Sequence, residues 1–188
     1  LVTPELLDLM RAYPNVCLMV AGKISVAPEF EEFGERFVFE DFRPYKEFVE
    51  LLAKVDINLA PLDTNSEFAL ARSELKFIEA SAFGVPTVAS PTPAFCEAIA
   101  DGTTGFICRD GEWRKMLGEL VENRQLRRAV GHAARGHVEA EYGPRAGEGD
   151  WVQLFDDLLD PELDVPRRTI YEFPSSFRVE LLANKAKI

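Results

Sequence analysis

R-S-E-L-K-F-I-E-A-S-A-F-G-V-P-T-V-A-S, residues 72–90, reads as a helix followed by a strand. Ser73 is a good N-cap type, with a hydroxyl able to accept from a free backbone N–H of the first turn. Gly84 closes the helix and Pro86 forbids its continuation. Val85 to Ala89 is apolar and partly β-branched, the length of a buried strand in a parallel sheet, and Ser90-Pro91 ends it. At about 100° per residue, Leu75, Ile78, Ala82 and Phe83 share one arc of the helix, with Glu79 inside it. A carboxylate facing an apolar layer is costly unless something hydrogen-bonds it, so Glu79 is expected to have a partner, either a protein donor or the hydroxyls of a ligand. Lys76 lies at the edge of that arc, one turn after Ser73. The free N–H groups and the macrodipole of the helix start favour an anion there.

Outward from this stretch, strand and helix patterns alternate. Thr3 as N-cap and Pro4 at the first helical position open a helix carrying Leu6, Leu7 and Met10, which Pro14 ends. Val16 to Ala21 is a continuous apolar run, expected as a buried parallel strand, with Gly22-Lys23 at its carboxyl end. A helix near Glu31, a short strand at Phe37 to Phe39, an amphipathic helix with Phe48, Leu51, Leu52 and Val55, and a strand from Ile57 to Leu62 follow. This alternation, as far as Cys108, predicts an α/β fold: a doubly wound, Rossmann-like parallel sheet with helices on both faces. Ligands of such sheets bind outside the carboxyl ends of the strands. That rule selects Gly22, Lys23, Phe42, Arg43, the loop after Leu62 running to Ser73, and Ser90 onward. Arg43 reads equally as a solvated turn residue before Pro44 and Arg72 as a loop arginine; the plain alternative for Lys76, an exposed helix lysine, is weaker because of its place beside the helix start, and Gly22 also reads as a tight-turn glycine.

Beyond Cys108 the sequence turns helical. Asp110 is expected to cap a helix whose Trp113, Met116, Leu117, Leu120 and Val121 form a core stripe. A second runs from about Gln125 to Tyr142, and a third begins at Pro144 with Trp151, Leu154, Phe155 and Leu158. His132 and His137 are five apart, which does not set them on one helix face for a metal. Asp-Pro-Glu-Leu-Asp at Asp160 reads as an acidic turn. Residues 161–188 show no period and are expected to be an extended tail, a linker or an arm, beside a domain spanning 1–160.

The 188 residues carry a net charge of −11 with 47% apolar content. That is enough for a substantial core, and it argues against a nucleic-acid or anionic-membrane face. The charge is uneven: residues 166–188 hold five Lys/Arg against two Glu, a balance of +3 that leaves −14 on the rest. Cys17, Cys96 and Cys108 form no C-x-x-C and sit in apolar runs, which suggests reduced, buried thiols in a cytoplasmic protein. No run reaches the roughly 18 to 20 apolar residues of a transmembrane segment, and no signal peptide is visible. The sequence opens within a helix and is read as a piece of a longer polypeptide. There is no P-loop, G-x-S-x-G, H-E-x-x-H or G-x-G-x-x-G.

With the flanking I-N-L-A-P-L and E-A-I-A-D-G-T-T-G-F-I, the stretch S-E-L-K-F-I-E-A-S-A-F-G-V-P-T-V-A-S resembles the C-terminal, donor-binding domain of retaining GT-B glycosyltransferases, over roughly Val16 to Tyr142. The resemblance implies a nucleotide-diphosphate sugar as substrate (UDP-, GDP- or ADP-linked), no cofactor and no metal. It further implies an acceptor-binding N-terminal domain outside this chain, and an opening strand of the donor domain that is missing here. In the family, two glutamates separated by seven residues bracket this helix start. Glu79 matches the second, which holds the ribose. The first falls on Ala71, and neither Glu67 nor Glu74 has its spacing, so the sugar-contacting role passes to no residue. The implied donor site is Ser73, the N–H groups of Glu74 and Leu75, Lys76 and Arg72 on the diphosphate, Glu79 on the ribose, and Arg43 near the base, with Gly22 close by. A GT-B-like module that serves as a scaffold, or a GT-B nucleotide-sugar epimerase, are the other readings of this resemblance.

Overall fold

The computed structural model describes residues 2–144 and 146. The elements in order are α1 (Thr3–Ala12), β1 (Leu18–Ala21), a 3-10 segment (Pro28–Arg36), β2 (Phe37–Glu40), α2 (Tyr45–Leu52), β3 (Asn58–Ala60), α3 (Glu67–Leu70), α4 (Leu75–Ala82), β4 (Thr87–Ala89), α5 (Pro93–Ala98), β5 (Phe106–Ile107), α6 (Trp113–Glu122) and α7 (Arg124–Glu141). The helix from Pro144 onward, the acidic turn at Asp160 and the 161–188 arm lie outside the described residues, as does the boundary near 160.

Every strand pair is parallel, as the apolar runs predict. β1 pairs with β2, Leu18 opposite Phe37, and β4 lies between β3 and β5, with Asn58 opposite Thr87 and Val88 opposite Phe106. The expected single sheet is divided in two, with orders β1-β2 and β3-β4-β5. The doubly wound order 3-2-1-4-5-6 explains the division: there β1 and β3 would flank a central strand, and no described segment occupies that place. β1 consequently has an open edge and is half-buried where full burial was expected.

Alternation along the strands builds two cores. Val88 and Phe106 face one layer, joined by Leu59, with Leu6, Met10, Phe30, Phe33, Trp113 and Leu117 from α1, the 3-10 segment and α6. Ala60 and Ala89 face the other, with Phe77, Phe95, Ile99, Ala134 and Val138 around α4, α5 and α7, and Ile107 at its edge. Helices therefore cover both faces of the sheet.

Three caps differ from the expected ones. The α1 cap position is Val2, without a side-chain bond, so Thr3 is the first helical residue instead. The α6 start is capped from a distance: the Glu5 carboxylate on α1 accepts the N–H groups of Gly111 (3.1 Å) and Arg114 (3.0 Å), the role expected of Asp110. Ser73 does not cap α4, whose cap position is Glu74, also without a side-chain bond. Cys108 is buried, but Cys17 and Cys96 are exposed, against expectation, because each occupies the outward position of its segment.

Candidate functional site

The buried face of α4 consists of Phe77, Ala80 and Ser81. Leu75 and Phe83 are 53% and 42% exposed, and Glu79, on their side of the helix, is half-buried. The arc expected to face the core is thus turned away from it. The cause is α7, which packs closely along α4. Gly131 of α7 lies against Gly84 so tightly that a Cβ on it would collide with the Gly84 carbonyl. Only small residues such as Ala80 and Ser81 fit in such a seam, and they carry little weight in a hydrophobicity pattern. Glu79 therefore needs no special partner to offset burial. What it has is a position, on the outward face of the helix that also carries Leu75 and Lys76.

Those two residues line a cleft of about 150 Å³ at the start of α4, together with Leu62, Arg72, Ser73 and Phe95. The walls are fixed by short polar ties. Leu62 N–H donates to Ser90 Oγ (2.9 Å) and Phe95 N–H to Thr92 Oγ1 (3.5 Å). Asn58 Nδ2 donates to the Lys76 carbonyl and to Thr87 Oγ1, both at 3.1 Å, which pins the first turn of α4 to β3 and β4. The first backbone bonds of the helix run from Phe77 and Ile78 N–H to the Glu74 carbonyl. The earlier N–H groups, of Leu75 and Lys76, have no intrahelical acceptor, as at any helix start. Sequence reasoning selected the stretches that follow β3 and β4 but singled out neither Leu62 nor Phe95 as a lining residue. Their signal was positional, since both follow the carboxyl end of a strand.

The electrostatics of the cleft are cationic. Desolvation lowers the Lys76 pKa from its ordinary 10.5, the nearby Arg72 charge lowers it further, and Glu79 opposes both. Lys76 is solvent-exposed as a residue, so its ammonium is crowded without being sealed off. Arg72 is exposed, its guanidinium 5.7 Å from the Phe68 ring centroid. Two cations and a helix start converge on one small space, an arrangement that favours a polyanion. Glu74 is half-buried and lies against the Tyr142 hydroxyl, whose pKa rises chiefly through burial and then through the Glu74 charge.

The Glu79 carboxylate lies beside the Tyr45 hydroxyl and raises its pKa. Arg43, expected near a base, is engaged within its own turn: Nε donates to Glu40 Oε2 at 3.1 Å, and Nη1 lies 3.5 Å from Glu47 Oε2. Gly22 has φ +112° and its N–H donates to the Glu40 carbonyl (2.9 Å), so it behaves as a turn glycine joining the ends of β1 and β2. Ala71 is exposed and offers no polar group at the position of the absent glutamate. His132 is exposed on α7, while His137 packs on Phe77 and Tyr142 at centroid distances of 6.2 and 6.4 Å.

The family described as glycosyl transferases group 1 matches residues 2–123. Among curated proteins, N-acetyl-alpha-D-glucosaminyl L-malate synthase of Bacillus anthracis is 25% identical over 160 residues, 81% of this chain and 42% of that protein. D-inositol 3-phosphate glycosyltransferase of Corynebacterium jeikeium is 32% identical over 120 residues, 62% of this chain and 27% of that protein. The chain thus spans less than half the length of these curated relatives. The crystal structure of the C-terminal domain of a glycosyl transferase group 1 family protein (LpcC) from Francisella tularensis superposes with TM-score 0.58 at 18% identity, covering 76% of this chain and 80% of that one. Anabaena Alr3699/HepE in complex with UDP-glucose gives 0.60 at 19%, covering 82% and 44%. At such identities the likeness is one of fold: a Rossmann-like half of GT-B.

Proposed function

The chain belongs to the glycosyl transferases group 1 family, and from that premise we propose that it is the donor-binding part of a glycosyltransferase, moving a sugar from a nucleotide diphosphate to an acceptor with retention of configuration. The observation that carries this reading is the cationic cleft at the start of α4, lined by Arg72, Ser73 and Lys76. In it the diphosphate meets Lys76, Arg72 and the N–H groups of Leu75 and Lys76, while Glu79 accepts the ribose hydroxyls. Positive charge from the protein itself meets the phosphates, so the reading invokes no cofactor. Protein chemistry in such a site is mainly positioning and charge stabilisation, with the leaving diphosphate taking up the acceptor's proton.

At about 150 Å³ the cleft is smaller than the roughly 300–1,000 Å³ that encloses a whole small ligand, so it fits the phosphates rather than the full donor. The reading therefore includes an acceptor-binding N-terminal domain facing this one, and a further parallel strand between β1 and β3. The exposed free thiols Cys17 and Cys96 suit a reducing, cytoplasmic setting, and among the described residues no helix is long and apolar enough to cross a membrane.

Titration calorimetry of this chain with UDP, GDP and ADP tests the reading. Binding that is lost in Glu79→Ala and Lys76→Ala supports it, and absence of binding to all three overturns it for this chain. Ala71, in place of a carboxylate, favours one other reading, a scaffold of the same fold that binds without transfer. Incubation of the full-length protein with a labelled nucleotide sugar separates them, since a scaffold neither transfers nor hydrolyses the sugar. An epimerase would return the label in an isomeric sugar.

A further inference from the structure

Arg72, Ser73, Leu75 and Lys76 all line the cleft at the start of α4, and Glu74, in the middle of that run, does not. Its carboxylate lies instead against the hydroxyl of Tyr142, toward α7. Tyr142 is held there through a chain of rings. Its own ring meets His137 edge-on, with centroids 6.4 Å apart and planes at 74°, and His137 rests on Phe77 at 6.2 Å. Phe77 is wholly buried in the first turn of α4, and the Tyr142 N–H donates to the Val138 carbonyl at 3.0 Å. Ring and backbone therefore both keep the phenol beside the helix start, while Gly131 against Gly84 sets how closely the two helices approach.

A glutamate at this place competes with the ligand. Carboxylates are drawn to the free N–H groups and the positive end of a helix start, the same groups that a phosphate uses. Glu74 is the cap residue of α4 yet makes no side-chain cap bond, and the cations Arg72 and Lys76 stand two residues to either side of it. A carboxylate that swung into the cleft would neutralise those groups and repel an entering phosphate. We propose that Tyr142 is a positioning residue of the donor site: its hydroxyl detains the Glu74 carboxylate on the α7 side, which leaves Lys76, Arg72 and the N–H groups of Leu75 and Lys76 free for the diphosphate. The inference rests on the donor-site reading and deepens it, extending the site to a residue at the far end of α7.

Calorimetry with UDP at low ionic strength, where charges near the surface are least screened, tests this on the whole chain with Tyr142→Phe, Glu74→Gln and the two together. Phenylalanine keeps the ring against His137, and Tyr142 is 40% exposed, so the variants retain the fold. A charge at a helix start is worth roughly 2- to 5-fold in affinity, and Tyr142→Phe is expected to weaken UDP binding by about that factor. In the Glu74→Gln background the same change costs nothing, because no carboxylate is left to be released. A loss of equal size in both backgrounds, or no loss in either, overturns the role of Tyr142 while the donor site stands. Failure of the unaltered chain to bind UDP overturns the donor site and this role with it.

Discussion

Gly131 and Gly84 hold α7 and the end of α4 in backbone contact: a Cβ on Gly131 would overlap the Gly84 carbonyl oxygen and press on Pro86 Cδ at 3.4 Å. This contact sets the face that α4 buries, and so the face that its cleft residues present. Gly131→Ala must push the two helices apart. An overpacked core typically loses about 1–3 kcal/mol, seen as a lower Tm. Gly136, five residues along the same helix, has open space around it, so Gly136→Ala stabilises by up to about 1 kcal/mol through helix propensity alone. Thermal unfolding of the two variants gives opposite shifts, and equal shifts contradict the packing described.

The strand and helix alternation was legible because each strand is a short apolar run bounded by turn residues, and parallel pairing followed from it. The buried face of α4 was not legible, since Ala80, Ser81, Gly84 and Gly131 contribute shape rather than hydrophobicity. Ser73, Lys76 and Arg72 could be placed at one helix start from spacing alone. The engagement of Arg43 by Glu40 and Glu47 could also be suspected from i−3 and i+4 spacing, but only a folded turn decides whether those contacts form. Glu5 at the start of α6 is a contact between residues more than a hundred positions apart, and no local pattern announces it.

The remote cap gives a second prediction. Glu5→Ala removes the acceptor of the Gly111 and Arg114 N–H groups and costs about 0.5–2 kcal/mol in denaturant unfolding. Asp110→Ala leaves stability nearly unchanged, because no capping bond depends on it. A larger loss at Asp110 than at Glu5 would refute the assignment.

Lys76 makes anion binding pH-dependent in a defined direction. Burial and Arg72 lower its pKa below 10.5, so the free site sheds its proton earlier in an alkaline titration than an ordinary lysine would. Affinity for UDP then falls with rising pH below the usual lysine range, and Lys76→Arg removes that early fall. Stability moves the other way. The unfolded lysine holds its proton more tightly, so the folded chain gains stability as pH rises from the lowered pKa toward 10.5. An affinity profile unchanged by Lys76→Arg contradicts this role.

Thiol reactivity divides the cysteines. Burial, reinforced by the charges of Glu112, Asp101 and Glu5, pushes the Cys108 thiol up to about 12, so at pH 8 it is almost wholly protonated as well as shielded. Cys17 and Cys96 are exposed. A thiol reagent at pH 8 labels Cys17 and Cys96 in the folded chain and reaches Cys108 only on unfolding. Mass spectrometry of labelled peptides reads this out, and early labelling of Cys108 would contradict the core described.

In the proposed donor site Glu79 accepts the ribose hydroxyls of a nucleotide whose phosphates occupy the cleft beside Lys76. A calorimetric cycle isolates that contact, with UDP against 2′,3′-dideoxy-UDP on the unaltered chain and on Glu79→Ala. Hydrogen bonds to a charged group predict that removing the hydroxyls weakens binding by roughly 10- to 150-fold on the unaltered chain, and hardly at all once Glu79 is gone. An equal penalty on both proteins would mean that the hydroxyls are held elsewhere.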